Sequence, residues 1–134
     1  MATLADVQVG LTICYDLRFP ELYRSYAVAG ATVLTVPSAF LERTGRDHWE
    51  VLLRARAIEN QCFVVAANQY GALPAGLTAY GRSMIIDPWG TVLAQAPDGH
   101  GVIVADCDHA ALTRVREQVP SLAHRRPEAY GSPT

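Results

Sequence analysis

Lysine is absent from the 134 residues, and all eleven basic side chains are arginines. Set against thirteen acidic side chains they leave a formal net charge of -2 and a pI near 6.0. Such a balance argues against a partner made of nucleic acid or another polyanion. Cysteine is scarce too: Cys14, Cys62 and Cys107 are three in number, widely spaced, with no Cys-x-x-Cys pair. An odd, dispersed set excludes a disulfide framework or a zinc finger and suits the reducing cytoplasm. No apolar run reaches the ~18 residues that a membrane-spanning helix needs, so no membrane partner is expected. The opening "MATLADVQ" has neither a basic nor an apolar leader region, so no secretory signal is expected. His48, His100, His109 and His124 show no HExxH or similar spacing, and no GxGxxG or GxxxxGK occurs. No metal site, nucleotide cradle or organic cofactor is therefore expected.

What is present is a chain that is 50% apolar, enough for a packed core and of a length suited to one domain or part of a larger one. "VQVGLTIC" (7–14) reads as a buried strand. Pro20 suits the first turn of a helix, and Gly30 suits its stop. "ATVLTV" (31–36) reads as a second buried strand. Strand, helix and strand in so short a span predict a βαβ unit with a parallel pair. A loop is expected over 37–46. The spacing then predicts a helix over 47–62, capped by Asp47. It carries one apolar stripe of Val51, Ala55, Ile58 and Cys62 and a second of Trp49, Leu53 and Ala57. Two stripes predict burial on two sides, between a sheet and another layer or subunit. Glu50 and Glu59 are expected to pair with Arg54 and Arg56. "FVVAAN" (63–68) predicts a third strand, 69–81 a loop, 82–96 a hairpin turning at "DPWG", and 101–108 a further strand. A short helix is expected over 109–119, then an extended tail of fifteen residues. The alternation is that of an α/β protein.

Cys14 ends the first strand just before a helix. One reading makes it a small buried apolar residue. The other makes it a nucleophile, because α/β folds place ligands at the carboxyl ends of parallel strands and a helix N-terminus favours a thiolate. A third, weaker reading is a redox-sensing thiol. A Cys–His dyad remains open, although no histidine is near Cys14 along the chain. Asp16 is expected to fix the turn rather than to do chemistry, and Cys62 and Cys107 to pack.

The stretch "GLTICYDLRFPE" (10–21) resembles the nucleophile motif of the nitrilase, or carbon–nitrogen hydrolase, superfamily. "LTVPSAF", "HWEVLLRARAIENQCFVVAANQ", "YGRSMIIDPWGTVLA" and "HRRPEAY" are similar to its Nit branch of amidases, in the branch's order and spacing. Together they cover nearly the whole chain. Within the branch it is most similar to the deaminated-glutathione amidase type, with the ω-amidase type next. The resemblance implies an amidase acting on a small carboxylate-bearing amide through a cysteine acyl-enzyme. It makes Cys14 the nucleophile and the backbone N–H of Tyr15 an oxyanion donor, with Arg18 the holder of the substrate's carboxylate. Phe40 and Thr44 become walls of the substrate pocket. Plainer readings are a surface ion pair for Arg18 and simple core for Phe40. The resemblance further implies part of an αββα sandwich, no cofactor, and a homodimer or larger homo-oligomer pairing through segments 20–29 and 47–62. The family's glutamate base and oxyanion-stabilising lysine have no match here. The chain thus reads as the carboxyl-terminal half of the family domain, inactive alone. The alternative is a non-catalytic assembly module.

Overall fold

The computed structural model describes residues 1–130. A six-stranded mixed sheet runs β1-β2-β3-β4-β7-β8. Its strands are β1 (Ala2–Leu4), β2 (Val7–Leu11), β3 (Val33–Thr35), β4 (Phe63–Ala66), β7 (Met84–Ile86) and β8 (Val92–Gln95). The two-stranded pair β5 (Tyr70–Ala72) and β6 (Thr78–Tyr80) stands apart from it. β2 and β3 are parallel, as the βαβ pattern predicts, and β4 pairs parallel to β3 as well. β1, β7 and β8 pair antiparallel to their neighbours.

α1 (Pro20–Val28) opens on Pro20, and Gly30 follows its end with φ +99°, a conformation glycine adopts without strain. The long helix begins earlier than expected. α2 (Glu42–Thr44) runs through a π-helical turn (Gly45–Trp49) into α3 (Glu50–Asn60). Asp47 therefore lies within helical turns and caps nothing, and Gln61 in the left-handed region closes the helix instead. Trp49, Leu53 and Ala57 are fully buried and join Tyr23, Leu34, Val64 and Ile86 in the core between sheet and helices. The other stripe is not buried within the chain: Val51 is 67% and Ile58 50% exposed. Glu50 and Glu59 do pair with Arg54 and Arg56.

The "DPWG" hairpin forms as expected. The Asp87 carboxylate accepts from the backbone N–H groups of Trp89 and Thr91, fixing the turn between β7 and β8. Elsewhere the sequence reading needs correction. The segment 69–81 is the β5–β6 hairpin rather than a loop. β1 and β2 form a hairpin through Ala5 and Asp6, both at positive φ, a turn without the usual Asn-Gly signal. Residues 101–108 form no strand. They pair with neither sheet edge, and Val102 is 91% and Val104 83% exposed. A strand exists only with a hydrogen-bonding neighbour, and the described residues offer it none. α4 (His109–Gln118) is capped by Asp108, and α5 (Pro127–Tyr130) gives the tail one short helix.

Helices α1 and α3 cover one face of the sheet. On the other, Leu11 is 50% and Val65 36% exposed along the row Leu11–Thr35–Val65–Ile85. One sheet with one helical layer is half of a sandwich, and this second face is covered only in part, with Val9, Phe63 and Ile85 buried while Leu11 and Val65 are not.

Candidate active site

The carboxyl end of β2 carries the site. After Leu11 the chain leaves the sheet, and Cys14 opens a 3-10 turn (Cys14–Arg18) with φ +46°. A non-glycine residue there is strained by roughly 1–3 kcal/mol, and such strain gathers at functional sites. Three contacts hold the turn. The Cys14 N–H donates to the Pro37 carbonyl at 2.8 Å, tying the turn to the chain just beyond β3. The Asp16 carboxylate accepts from the Ile13 N–H at 2.9 Å, which is the turn-fixing role expected of it. Arg56, on α3 and 5% exposed, donates to the Leu17 carbonyl through Nε at 3.1 Å and Nη2 at 2.7 Å. Its remaining arm, Nη1, meets Glu59 at 2.8 Å. A fixed guanidinium fork suits both tasks at once.

Cys14 is half-buried and lines an open cleft of about 610 Å³ with Ile13, Pro37, Ser38, Asn68 and Ser83. No histidine lines that cleft among the described residues; His100 lies in an adjoining hollow that shares Asn68 and Ser83. Tyr15, Arg18 and Phe40 form one cluster. The Arg18 guanidinium lies 5.6 Å from the Tyr15 ring centroid and 5.3 Å from that of Phe40. Among the described residues Arg18 has no carboxylate partner, so the surface ion-pair reading does not hold. Phe40 fits the plainer core reading and, like Tyr15 and Arg18, does not line the Cys14 cleft. It is 5% exposed and packs on Trp49 at 5.1 Å, yet it also meets Arg18. Thr44 sits on α2, where its hydroxyl donates to the Leu41 carbonyl at 3.3 Å; it does not line the Cys14 cleft.

Other contributors gave little sequence signal. Asn68, just past β4, accepts from the Phe40 N–H at 2.9 Å and donates to the Gly81 carbonyl at 2.7 Å. It thereby clamps the Phe40 loop to the β5–β6 hairpin. His48 approaches Arg18, with Nδ1 3.4 Å from Nη1. An arginine beside a buried apolar stripe was the available sign of the Arg56 role. Among the described residues no cluster of His, Cys, Asp and Glu could hold a metal ion, and no helix is long and apolar enough to cross a membrane.

The relatives of this chain are consistent with one another. It is 54% identical to the mouse deaminated glutathione amidase over 93% of its own length and 39% of that protein's. The crystal structure of the C. elegans NitFhit protein matches with a TM-score of 0.88 and 50% identity, over 92% of this chain and 30% of that one. A Nesterenkonia amidase, in a glutamate-to-glutamine variant carrying the acetamide moiety of fluoroacetamide on its active-site cysteine, matches with a TM-score of 0.78. Its identity is 32%, over 96% of this chain and 44% of that one. The chain thus spans about two fifths of the length of the mouse relative it matches. These matches do not bear out the expected placement in a carboxyl-terminal half, and that expectation is withdrawn. What they establish is a partial match of that extent. The profile of the carbon–nitrogen hydrolase family covers residues 1–117, and the chain belongs to that family.

Proposed function

We propose that this chain carries the nucleophile and acid-recognition pocket of a Nit-type amidase acting on a small carboxylate-bearing amide. The reading is carried by one juxtaposition. A strained Cys14 opens onto a cleft, and four residues along the chain Arg18, which has no carboxylate partner among the described residues, lies 5.6 and 5.3 Å from the centroids of two aromatic rings. The Cys14 thiolate would attack the amide carbon, forming the C–S bond of a tetrahedral intermediate whose oxyanion takes the Tyr15 N–H. The C–N bond then breaks and ammonia leaves with a proton. Water hydrolyses the thioester, releasing the acid and the thiol. Arg18 would grip the substrate's own carboxylate with paired donors, which fixes the distance from acid to amide. Three unpaired thiols favour a reducing compartment such as the cytoplasm.

The chain has no lysine, and the family resemblance implies that the base glutamate and the lysine have no counterpart in it. Positioned proton transfer contributes roughly 10²–10⁴-fold, and one oxyanion donor roughly 10²–10³-fold. The 134-residue chain should therefore hydrolyse amides at least ~10³-fold more slowly than a full-length relative. Supplying the rest of the family domain should restore turnover, and Cys14→Ser should abolish it. Robust turnover by the chain alone, lost on Cys14→Ser, would sink the proposal of an incomplete site. The exposed Val51 and Ile58 on α3, with Trp89 lining one hollow with Ile58, favour a second copy as partner. A strictly monomeric chain in sedimentation would count against that pairing.

A further inference from the structure

We infer that His48 is a positioning residue for Arg18, setting the guanidinium in the plane where it takes the substrate's carboxylate; this rests on the function proposed above. The chemistry of the pair fixes the direction of the contact. A guanidinium only donates, so the 3.4 Å approach of Arg18 Nη1 to His48 Nδ1 requires an unprotonated Nδ1. The two aromatic rings at 5.6 and 5.3 Å restrict where the guanidinium lies. Among the described residues Arg18 makes no hydrogen bond to either of them, the Tyr15 hydroxyl included, so rotation within its own plane is left open. One in-plane bond to His48 stops that rotation and leaves the other donors for a ligand.

The mount of His48 supports the same reading. His48 is exposed, but its backbone belongs to the π-helical turn Gly45–Trp49. Such turns interrupt the regular ladder and are frequent at functional sites. This one is anchored at both ends. A Cβ on Gly45 would collide with the Tyr80 Cβ, so the turn lies flush against β6. Trp49 donates from Nε1 to the Arg82 carbonyl at 2.7 Å and packs on Phe40. A surface side chain on a fixed base can orient a neighbour while adding little to the stability of the fold.

The test needs no turnover. Chloroacetamides that bear a carboxylate on a two- or three-carbon arm, and their neutral primary-amide counterparts, alkylate the full chain. The C–S bond forms at Cys14 as chloride leaves. Saturation kinetics, followed by the mass of the Cys14 peptide, give an apparent binding constant and a maximal rate for each reagent. The wild-type chain should bind the acid more tightly than the neutral reagent, and Arg18→Ala should erase that preference. His48→Ala should weaken acid binding by roughly 3- to 10-fold, the worth of one hydrogen bond, with the maximal rate and the neutral reagent unaffected. His48→Asn, which returns an acceptor near the place of Nδ1, should recover most of the loss. A preference that depends on Arg18 but ignores His48→Ala overturns the role of His48 and leaves the proposed function standing. Equal loss in His48→Ala and His48→Asn overturns it as well. No preference in the wild-type chain overturns both.

Discussion

Cys14 and Cys62 are the same residue at opposite ends of one parallel array. Cys14 follows β2 and Cys62 precedes β4, so the first lies toward the carboxyl ends of the strands and the second at their amino ends. Cys62 is fully buried, with its sulfur 3.2 Å from the carbonyls of Ala31 and Asn60. Burial pushes its thiol up to about 11, although the Arg116 guanidinium nearby pulls the other way. Cys14 is half-buried, backbone-strained and open to a cleft. Strand position, more than residue type, separates a packing thiol from a candidate nucleophile. In a parallel sheet the chain leaves each strand's carboxyl end by a loop, and a loop can present a side chain that the strand itself would bury.

The sharpest way to break this contrast is to label both thiols. At neutral pH a thiol at about 11 holds roughly 300-fold less thiolate than a free cysteine at ~8.5. Closed packing slows Cys62 further. Timed iodoacetamide labelling with peptide mass mapping should show the Cys14 adduct forming at least ~10²-fold faster. Comparable rates in the folded chain would mean that the two ends of the array do not differ as described.

The second test removes a support of the Cys14 turn and leaves the Cys62 contacts untouched. Arg56→Ala strips two donors from the buried Leu17 carbonyl and leaves Glu59 without its partner. The expected cost is about 2–3 kcal/mol, from an orphaned carbonyl and a partly exposed broken pair. Denaturant unfolding measures it, and the Cys14 labelling advantage should shrink in parallel. A cost below about 0.5 kcal/mol, within the range of an ordinary surface change, would show that the turn stands without Arg56.

The sequence made the Cys14 end of this comparison legible, along with much of the fold. The parallel β2–β3 pair follows from two apolar β-branched runs around a Pro-opened helix, because a short crossover admits little else. The β7–β8 hairpin follows from "DPWG", whose aspartate meets two backbone donors. The start of the long helix, before the expected position 47, is not legible because "ERTGR" (42–46) has no apolar residue and contains a glycine, which reads as loop. The β5–β6 hairpin was missed because glycine and alanine carry no apolar alternation. The segment 101–108 shows the reverse failure. Its alternation of apolar and polar residues is that of a strand, but pairing depends on a neighbour, and no local pattern encodes that neighbour. At the candidate site, motif resemblance proposed Cys14, Tyr15, Arg18, Phe40 and Thr44, of which Cys14 lines the cleft. Neither His48 nor Asn68 was found, since each acts through a contact across 30 or 28 positions. Thr44 shows the limit of transfer by motif, for its hydroxyl turns back onto its own helix.

The smallest effect should come from Asp16, and it separates geometry from chemistry at the Cys14 turn. Its carboxylate accepts from the Ile13 N–H, one residue before the strained position, and its own N–H donates to the Ile13 carbonyl at 2.9 Å. Asp16→Ala removes the first bond and keeps the second. The loss should be about 1 kcal/mol, as for other side-chain caps. Cys14 labelling should slow only a few-fold, as the left-handed conformation becomes less populated. Asp16→Asn keeps an acceptor oxygen at the same place and should restore most of both quantities. If the carboxylate instead acted as a base for Cys14, the two variants would fail alike in labelling, and Asp16→Asn would do so with stability intact. Measuring stability and labelling rate on the same pair of variants therefore decides whether Asp16 shapes the turn or takes a proton from its thiol.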